Sequence, residues 1–232
     1  MQSDSSTHIH IIYDVAGWAY FHRATALSRR APPGFVVTCD CKLPDPDRLA
    51  RIDLVLLLNY HLSREIAEAL RGYKARLLIS INIGWPSNRD LVQRAADHCD
   101  ALVFVNRASR RRFDAAIRPS FPTYQISNGV DVDTFCSQVP LRDRPPRVLW
   151  VGSQFHARNK GYEILGALRP HIEAQGWQLD LRLVDSTQAP YTPAEMARWY
   201  NSGQIYLVAS QREGTPNPAL EAAACGAVAA AS

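Results

Sequence analysis

The chain has 232 residues, 26 Lys+Arg against 22 Asp+Glu, a formal net charge of +4, and 47% hydrophobic against 21% charged residues. That length allows one large domain or two small ones, and the composition excludes a disordered tail, a disulfide miniprotein and a collagen-like chain. The longest apolar run, residues 54–58, falls far short of the ~20 residues a membrane-spanning helix needs, and a net charge of +4 is too small to imply nucleic acid. Met1 to Thr7 carry neither a basic start nor an apolar secretory stretch, which makes the cytoplasm the expected location.

In chain order, short apolar runs alternate with helical patterns. Residues 9–13 read as a strand and about 18–29 as a helix, before Pro32-Pro33-Gly34 breaks the chain ahead of a strand at 35–38. A strand at 52–58 precedes a helix at 63–71. A strand at 75–81 ends at Gly84-Trp85-Pro86, followed by helix 89–98, strand 101–105, helix 108–117 and strand 123–126. Residues 137–147 are polar, proline-rich and aperiodic, the composition of a linker. A second series then runs through strand 147–151, helix 160–173, strand 178–184, helix 193–201, strand 205–209, helix 218–224 and strand 227–231. This alternation predicts an α/β protein of two Rossmann-like domains, residues 1–143 and 144–232, with parallel sheets flanked by helices. Runs that are apolar on both faces, such as 54–58, fit a sheet covered on both sides.

Five cysteines without a Cys-x-x-Cys pair read as reduced, mostly buried thiols. Cys39-Asp40-Cys41 and His8-Ile9-His10 lack further ligands at metal spacing, so no metal site is expected. Only Lys42, Lys74 and Lys160 among the 26 basic residues are lysines. Arg107, Arg110, Arg111, Arg112 and Arg118 cluster, with Arg107, Arg111 and Arg118 along one helical stripe. Two readings stay open for them: a solvated helix face, or attraction to an anionic membrane surface or a phosphorylated acceptor.

The segment from Ser210 to Gly226 carries the chemistry. A strand ends at Ser210, a loop holds Glu213 and Gly214, Asn217 is the expected N-cap and Pro218 the first helical residue, and Gly226 stops the helix after two turns. The N-terminus of that helix would offer amides and a positive dipole end to an anion such as a diphosphate. Glu213 and Glu221, eight positions apart, could each accept a pair of hydroxyls, one from a sugar ring and one from a ribose.

At these residues the chain resembles the retaining nucleotide-sugar glycosyltransferases of the GT-B fold, the large family called group 1 or family 4. Glu213 and Glu221 match its Glu-x7-Glu motif, within Glu-Gly-x-Pro and Leu-Glu-Ala-x-Ala-Cys-Gly. Upstream, Ile126-Ser-Asn-Gly-Val-Asp resembles the turn that ends its first domain, and Val148-Leu-Trp-Val-Gly152 the strand that opens its second. Trp199 to Ser210 resembles the approach to the motif, Ala96 to Val105 a first-domain stretch, and Asp14-Val-Ala-Gly17 the glycine turn after the first strand. The likeness runs over most of residues 10–232, and the last motif is its most specific part.

The resemblance implies that Glu213 positions the donor sugar, Glu221 holds the ribose, and the backbone from Gly214 through Thr215 and Pro216 to Asn217 approaches phosphates and sugar. Lys160 fits the family's diphosphate lysine, close after Gly152; the family's arginine position holds Ser153, and Arg158 is the candidate replacement for its charge. His61 is the candidate for the histidine that lines the donor-sugar site, although its surroundings, Leu58-Asn59-Tyr60, lack the family's pattern; Gly17 belongs to the acceptor side. The implied reaction transfers a sugar from a nucleotide-diphosphate sugar to an acceptor hydroxyl, on a glycan, lipid-linked or small molecule, with retention of configuration. It needs no cofactor and no metal, and Asp45-Pro-Asp47 and Asp131-Val-Asp133 read as turn formers.

In that family the two halves are similar in size and the chain continues beyond the motif, so this one is expected to be truncated at its C-terminus with an incomplete second domain. The alternative function is accordingly a non-catalytic nucleotide-binding remnant or half of a larger assembly. A nucleotide-sugar epimerase is a third reading, for which the sequence offers no acid/base pair.

Overall fold

The computed structural model describes residues 6–82, 89–185, 191–211 and 213–231, and the expected turn at Gly84-Trp85-Pro86 lies outside them. The chain divides into two units, residues 1–127 and 128–232.

In the first unit six strands, β1 (Thr7–Ile12), β2 (Phe35–Asp40), β3 (Leu54–Leu57), β4 (Arg76–Ile81), β5 (Ala101–Phe104) and β6 (Thr123–Gln125), form one parallel sheet in the order β2-β1-β3-β4-β5-β6. Between them run α1 (Ala19–Arg29), α2 (Pro46–Leu49), α3 (Ser63–Ala69), α4 (Arg89–Ala96) and α5 (Arg107–Ile117). The central strands are apolar because helices cover both faces: all four residues of β5 are buried, and Phe113 of α5 packs on Phe104 with ring centroids 5.2 Å apart. The short helix α2 falls where Asp45-Pro-Asp47 reads as a turn; Asp45 caps it by accepting from the Arg48 amide at 3.0 Å. Asn106 caps α5 in the same way.

In the second unit β7 (Arg147–Ser153), β8 (Gln178–Val184), β9 (Ile205–Val208) and β10 (Val228–Ala231) form a parallel sheet in the order β10-β9-β7-β8. The helices are α6 (Tyr162–Ala174), α7 (Pro193–Tyr200) and α8 (Asn217–Ala224). Thr192 and Glu195 make a reciprocal capping box at the start of α7.

The division lies at 127/128, whereas the sequence drew its boundary at 143/144. Residues 128–143 fold with the second unit because Phe135 is buried in its core against Tyr200 and its neighbours. The stretch read as a linker is latched as well. Asn201 Oδ1 accepts from the amides of Gln138 and Val139, and the buried Arg144 reaches into the same place.

Each sheet has a point at which successive strands are laid on opposite sides of the first. β1 is flanked by β2 and β3, and β7 by β8 and β9. The loops leaving the carboxyl ends of β1 and β3, and of β7 and β9, therefore diverge and leave a crevice, where ligands of open parallel sheets bind.

Candidate functional site

At the crevice of the second unit the loop after β7 carries Lys160 and the loop after β9 carries Glu213. Backbone constraints bring them together. Gly152 is buried near the end of β7, where a Cβ would stand 2.5 Å from the Trp150 ring; that indole stays in place and donates from Nε1 to the Lys160 carbonyl at 3.2 Å. Gly161 has φ +73°, and a side chain there would run into the carbonyl oxygen of Ala209 at the end of β9. The Gln211 amide donates to the Asn159 carbonyl at 2.8 Å. With the loops so joined, Lys160 Nζ donates to Glu213 Oε1. The two side chains are 25% and 22% exposed and line a small recess with Trp150, Tyr206, Ser210 and Pro218.

Helix α8 starts at this recess. The cap is Pro216 rather than Asn217, which is already helical; the Asn217 Oδ1 accepts instead from Asn128 Nδ2 at 2.7 Å. A side chain engaged with Asn128 is not available to bond the amides of its own turn, which is why the expected cap is not made. The amides of Ala219 and Leu220 turn back to the Pro216 carbonyl, and Pro216 and Pro218 have none to give. The helix end thus offers the Asn217 N–H and the positive end of the dipole, fewer donors than the sequence suggested. Gly214 and Thr215 lie in the half-buried loop that leads to it.

Glu221 sits one turn along α8, half-buried, and its Oε2 accepts from the Tyr200 hydroxyl at 3.0 Å. Burial pushes its carboxyl above the ordinary value, with the Tyr200 hydrogen bond opposing the shift. Tyr200 is fully buried, and its own hydroxyl is raised by burial and by the Glu221 charge. The buried Tyr206 feels both Glu213 and Glu221.

No local sequence pattern marks the group that holds this arrangement. Arg144, 4% exposed, donates to the carbonyls of Val139, Tyr200, Gly203 and Cys225 and to Ser137 Oγ and Asn201 Oδ1. Its charge lies where α7 and α8 end, the favoured place for a cation, and ties both helices to the start of β7. Tyr200 and Glu221 are held in register through it.

The other expected residues stand apart from this cluster. Ser153 is the last residue of β7 and makes no side-chain cap to the 3-10 turn Gln154–His156 that follows. Arg158 is exposed and, among the described residues, makes no ion pair. In the first unit, Gly17 (φ +81°) follows β1 and its carbonyl accepts from His22 Nε2 at 3.0 Å. His61 follows β3 in the 3-10 turn Tyr60–Leu62, exposed and stacked on Tyr60 at 4.4 Å. Both therefore flank the crevice of their own sheet.

Several smaller expectations change. Arg118 leaves the basic stripe: it ends α5 with φ +49°, while Arg110 bonds Asp114 and Thr123. Among the five cysteines only Cys225 is buried, with Cys41 and Cys136 exposed, and none is bonded to another. The ring of Tyr191 is covered at 4.3 Å by the Arg182 guanidinium. His10 is buried and bonded to Thr38 Oγ1 and the Lys42 carbonyl. Among the described residues no three His, Cys, Asp or Glu side chains are grouped to hold a metal, and no helix is long and apolar enough to cross a membrane.

No protein-family model matches the sequence, and no curated protein matches it either. Solved structures do resemble it. Sucrose-phosphate synthase from Thermosynechococcus elongatus matches with a TM-score of 0.65 and 15% identity, over 97% of this chain and 81% of that one. The catalytic domain of starch synthase IV from Arabidopsis thaliana, bound to ADP and acarbose, matches with a TM-score of 0.69 and 11% identity, over 98% and 83%. Anabaena HepE in complex with UDP-glucose matches with a TM-score of 0.64 and 11% identity, over 97% and 80%. The fold of this α/β chain, two parallel sheets flanked by helices, is that of the GT-B glycosyltransferases.

Proposed function

We propose that the chain is a glycosyltransferase that moves a sugar from a nucleotide-diphosphate sugar to an acceptor hydroxyl with retention of configuration. The observation that carries this reading is the meeting of Lys160 and Glu213 at the crevice of the second sheet, beside the N-terminus of α8 and one turn from Glu221. Fold neighbours that bind ADP and UDP-glucose support it.

On this reading the diphosphate is met by the Lys160 ammonium, the Asn217 amide and the dipole of α8, with Arg158 adding an outer charge. The Lys160–Glu213 pair parts as the donor enters: lysine turns to the phosphate, and the freed Glu213 carboxylate accepts from sugar hydroxyls. Glu221, aimed by Tyr200, takes the ribose diol. The bond from the anomeric carbon to the phosphate oxygen breaks as the acceptor oxygen bonds the same face. The acceptor proton passes to the leaving phosphate, so no protein nucleophile is involved, and the positive groups named make a metal unnecessary. The first unit takes the acceptor side with Gly17, and His61 is its candidate for the histidine that lines the donor sugar. The same reading has the protein work in the cytoplasm, where the exposed Arg107 and Arg111 of α5 would meet an anionic membrane.

Calorimetric titration of the chain with UDP, GDP and ADP, beside a Glu221→Ala variant, tests the reading. The expected result is that one nucleotide binds and the variant loses it. Absence of binding to the folded chain, or equal binding by the variant, overturns it.

A further inference from the structure

The first unit holds a second arrangement that the transfer chemistry has not used. Arg23 lies on the second turn of α1, and side chains of a helix lean toward its N-terminus, here the end that faces the carboxyl edge of the sheet. Its Nη1 donates to Ser80 Oγ at 3.2 Å and to Asn82 Oδ1 at 2.6 Å. Ser80 is fully buried in β4, and Asn82, just past its end, is anchored in turn by donating from Nδ2 to the carbonyls of Leu58 and Ser80. The Tyr20 hydroxyl bonds the same Asn82 side chain, and Tyr60 and Asp14 act on that hydroxyl from nearby. Burial and these neighbours push Tyr20 up to about 12, so it stays a neutral hydroxyl at every working pH.

What the Arg23 guanidinium lacks, among the described residues, is a carboxylate paired with it. Arg23 is substantially desolvated, yet among the described residues its partners are a hydroxyl, an amide and a phenol, and no carboxylate pairs with it. A desolvated cation without an anion is costly to keep, and a ligand of opposite charge would return that cost. The neutral partners use only Nη1. Nε–H and Nη2 have no partner among the described residues, and together they form the edge of the guanidinium that matches two oxygens of a phosphate or carboxylate. The cluster also borders the crevice of the first sheet, because Asn82 is tied to the end of β3 at Leu58 and Tyr60 is stacked on His61.

We propose that Arg23, framed by Ser80, Asn82 and Tyr20, binds an anionic oxygen group, phosphate or carboxylate, carried by the acceptor. The word acceptor rests on the glycosyl-transfer reading; the anion site itself does not. It makes the acceptor a charged molecule rather than a neutral glycan, and Arg23 the residue that selects it.

The test follows the Arg23 Nε–Hε resonance of the full chain by NMR while glucose 6-phosphate, glucuronate, glucose and short-chain phosphatidic acid are added separately. Assignment comes from Arg23→Gln. The expected result is a shift with at least one charged probe and none with glucose, and a loss of roughly tenfold or more in affinity in Arg23→Gln with partial recovery in Arg23→Lys. A response to glucose 6-phosphate or glucuronate names a soluble acceptor, and one to phosphatidic acid alone a lipid one; either supports the site. Because Arg23→Gln could fail to fold, protection of wild-type Arg23 from phenylglyoxal by the same charged probes is measured as well. No shift and no protection, or equal effects from glucose, overturn the proposal. UDP, GDP and ADP are titrated into the same samples. Nucleotide binding without charged-sugar discrimination sinks only the anion site, whereas charged-sugar binding without any nucleotide sinks only the transferase reading.

Discussion

The carboxyl edges of the two sheets are built on the same topology and finished in opposite ways. In the second, Lys160 is paired with Glu213, Glu221 receives the Tyr200 hydroxyl, and the desolvated Arg144 is surrounded by carbonyls and side-chain oxygens at two helix ends. In the first, Arg23 meets only neutral groups among the described residues, and His61 stands exposed beside Tyr60. The sheet order creates both crevices, but it is the loops that decide their chemistry. On the proposed reading, one edge is internally neutralised and opens its ion pair to take a ligand, while the other keeps a cation ready for one.

The largest effect should come from removing what stiffens the second edge. Arg144→Ala leaves several buried carbonyls without donors and two helix ends without their cation, a destabilisation of about 3 kcal/mol or more. Trp150 and Trp199 are buried in that unit and report its unfolding by fluorescence in urea. The expected outcome is an early loss of that signal and of nucleotide binding, with the Arg23 resonance of the first unit unchanged. An unchanged midpoint would show that the carbonyls find water and that Arg144 does not organise α7 and α8.

That residue also shows where reading from sequence stops. The strands and helices were legible because each is a local pattern: the apolar run at 54–58 for β3, Gly226 after α8, and the Glu213 to Glu221 spacing for the site. Arg144 lies in a polar, proline-rich stretch that looks like a linker, and apart from Val139 and Ser137 its acceptors lie 56 to 81 positions further on. No local pattern encodes such a convergence. Asn217 was misread for the same reason, since the partner that engages its side chain, Asn128, is 89 positions away. Arg23 looked like any polar residue on a helix, because what distinguishes it is the absence of a carboxylate among its described partners.

A middle-sized effect separates stability from binding at Glu221. Burial raises this carboxyl above its ordinary 4.5, so just above that value the folded protein holds a proton the unfolded chain has released. The contribution of this group to stability is therefore greatest below 4.5 and falls as pH rises through the folded value. Glu221→Gln removes that slope, and the difference between the urea midpoints of the second unit at about pH 5 and about pH 7.5 should change in the direction of less loss at the higher pH. Nucleotide affinity of the wild type should run the other way and weaken toward the lower pH, because the ribose diol is accepted by the carboxylate. Parallel trends in stability and affinity would contradict the assignment of Glu221 to the ribose.

The smallest effect distinguishes a charge inside the crevice from one outside it. Lys160 is held by the Trp150 indole and largely enclosed, whereas Arg158, two positions earlier, is exposed. An enclosed ammonium acts on a diphosphate through a charge-assisted hydrogen bond, so Lys160→Ala should weaken the bound nucleotide roughly tenfold or more at any ordinary salt concentration. Arg158 acts through solvent, where screening sets in over about 10 Å at 0.1 M salt, so Arg158→Ala should cost about threefold or less at low salt and nothing at about 0.5 M. Titrating both variants across that range gives two slopes. A flat line for Lys160→Ala and a vanishing difference for Arg158→Ala fit the internally neutralised edge. A salt-independent loss on removing Arg158 would mean that the loop after β7 closes over the diphosphate and buries the arginine, which would put the second edge nearer to the open character of the first.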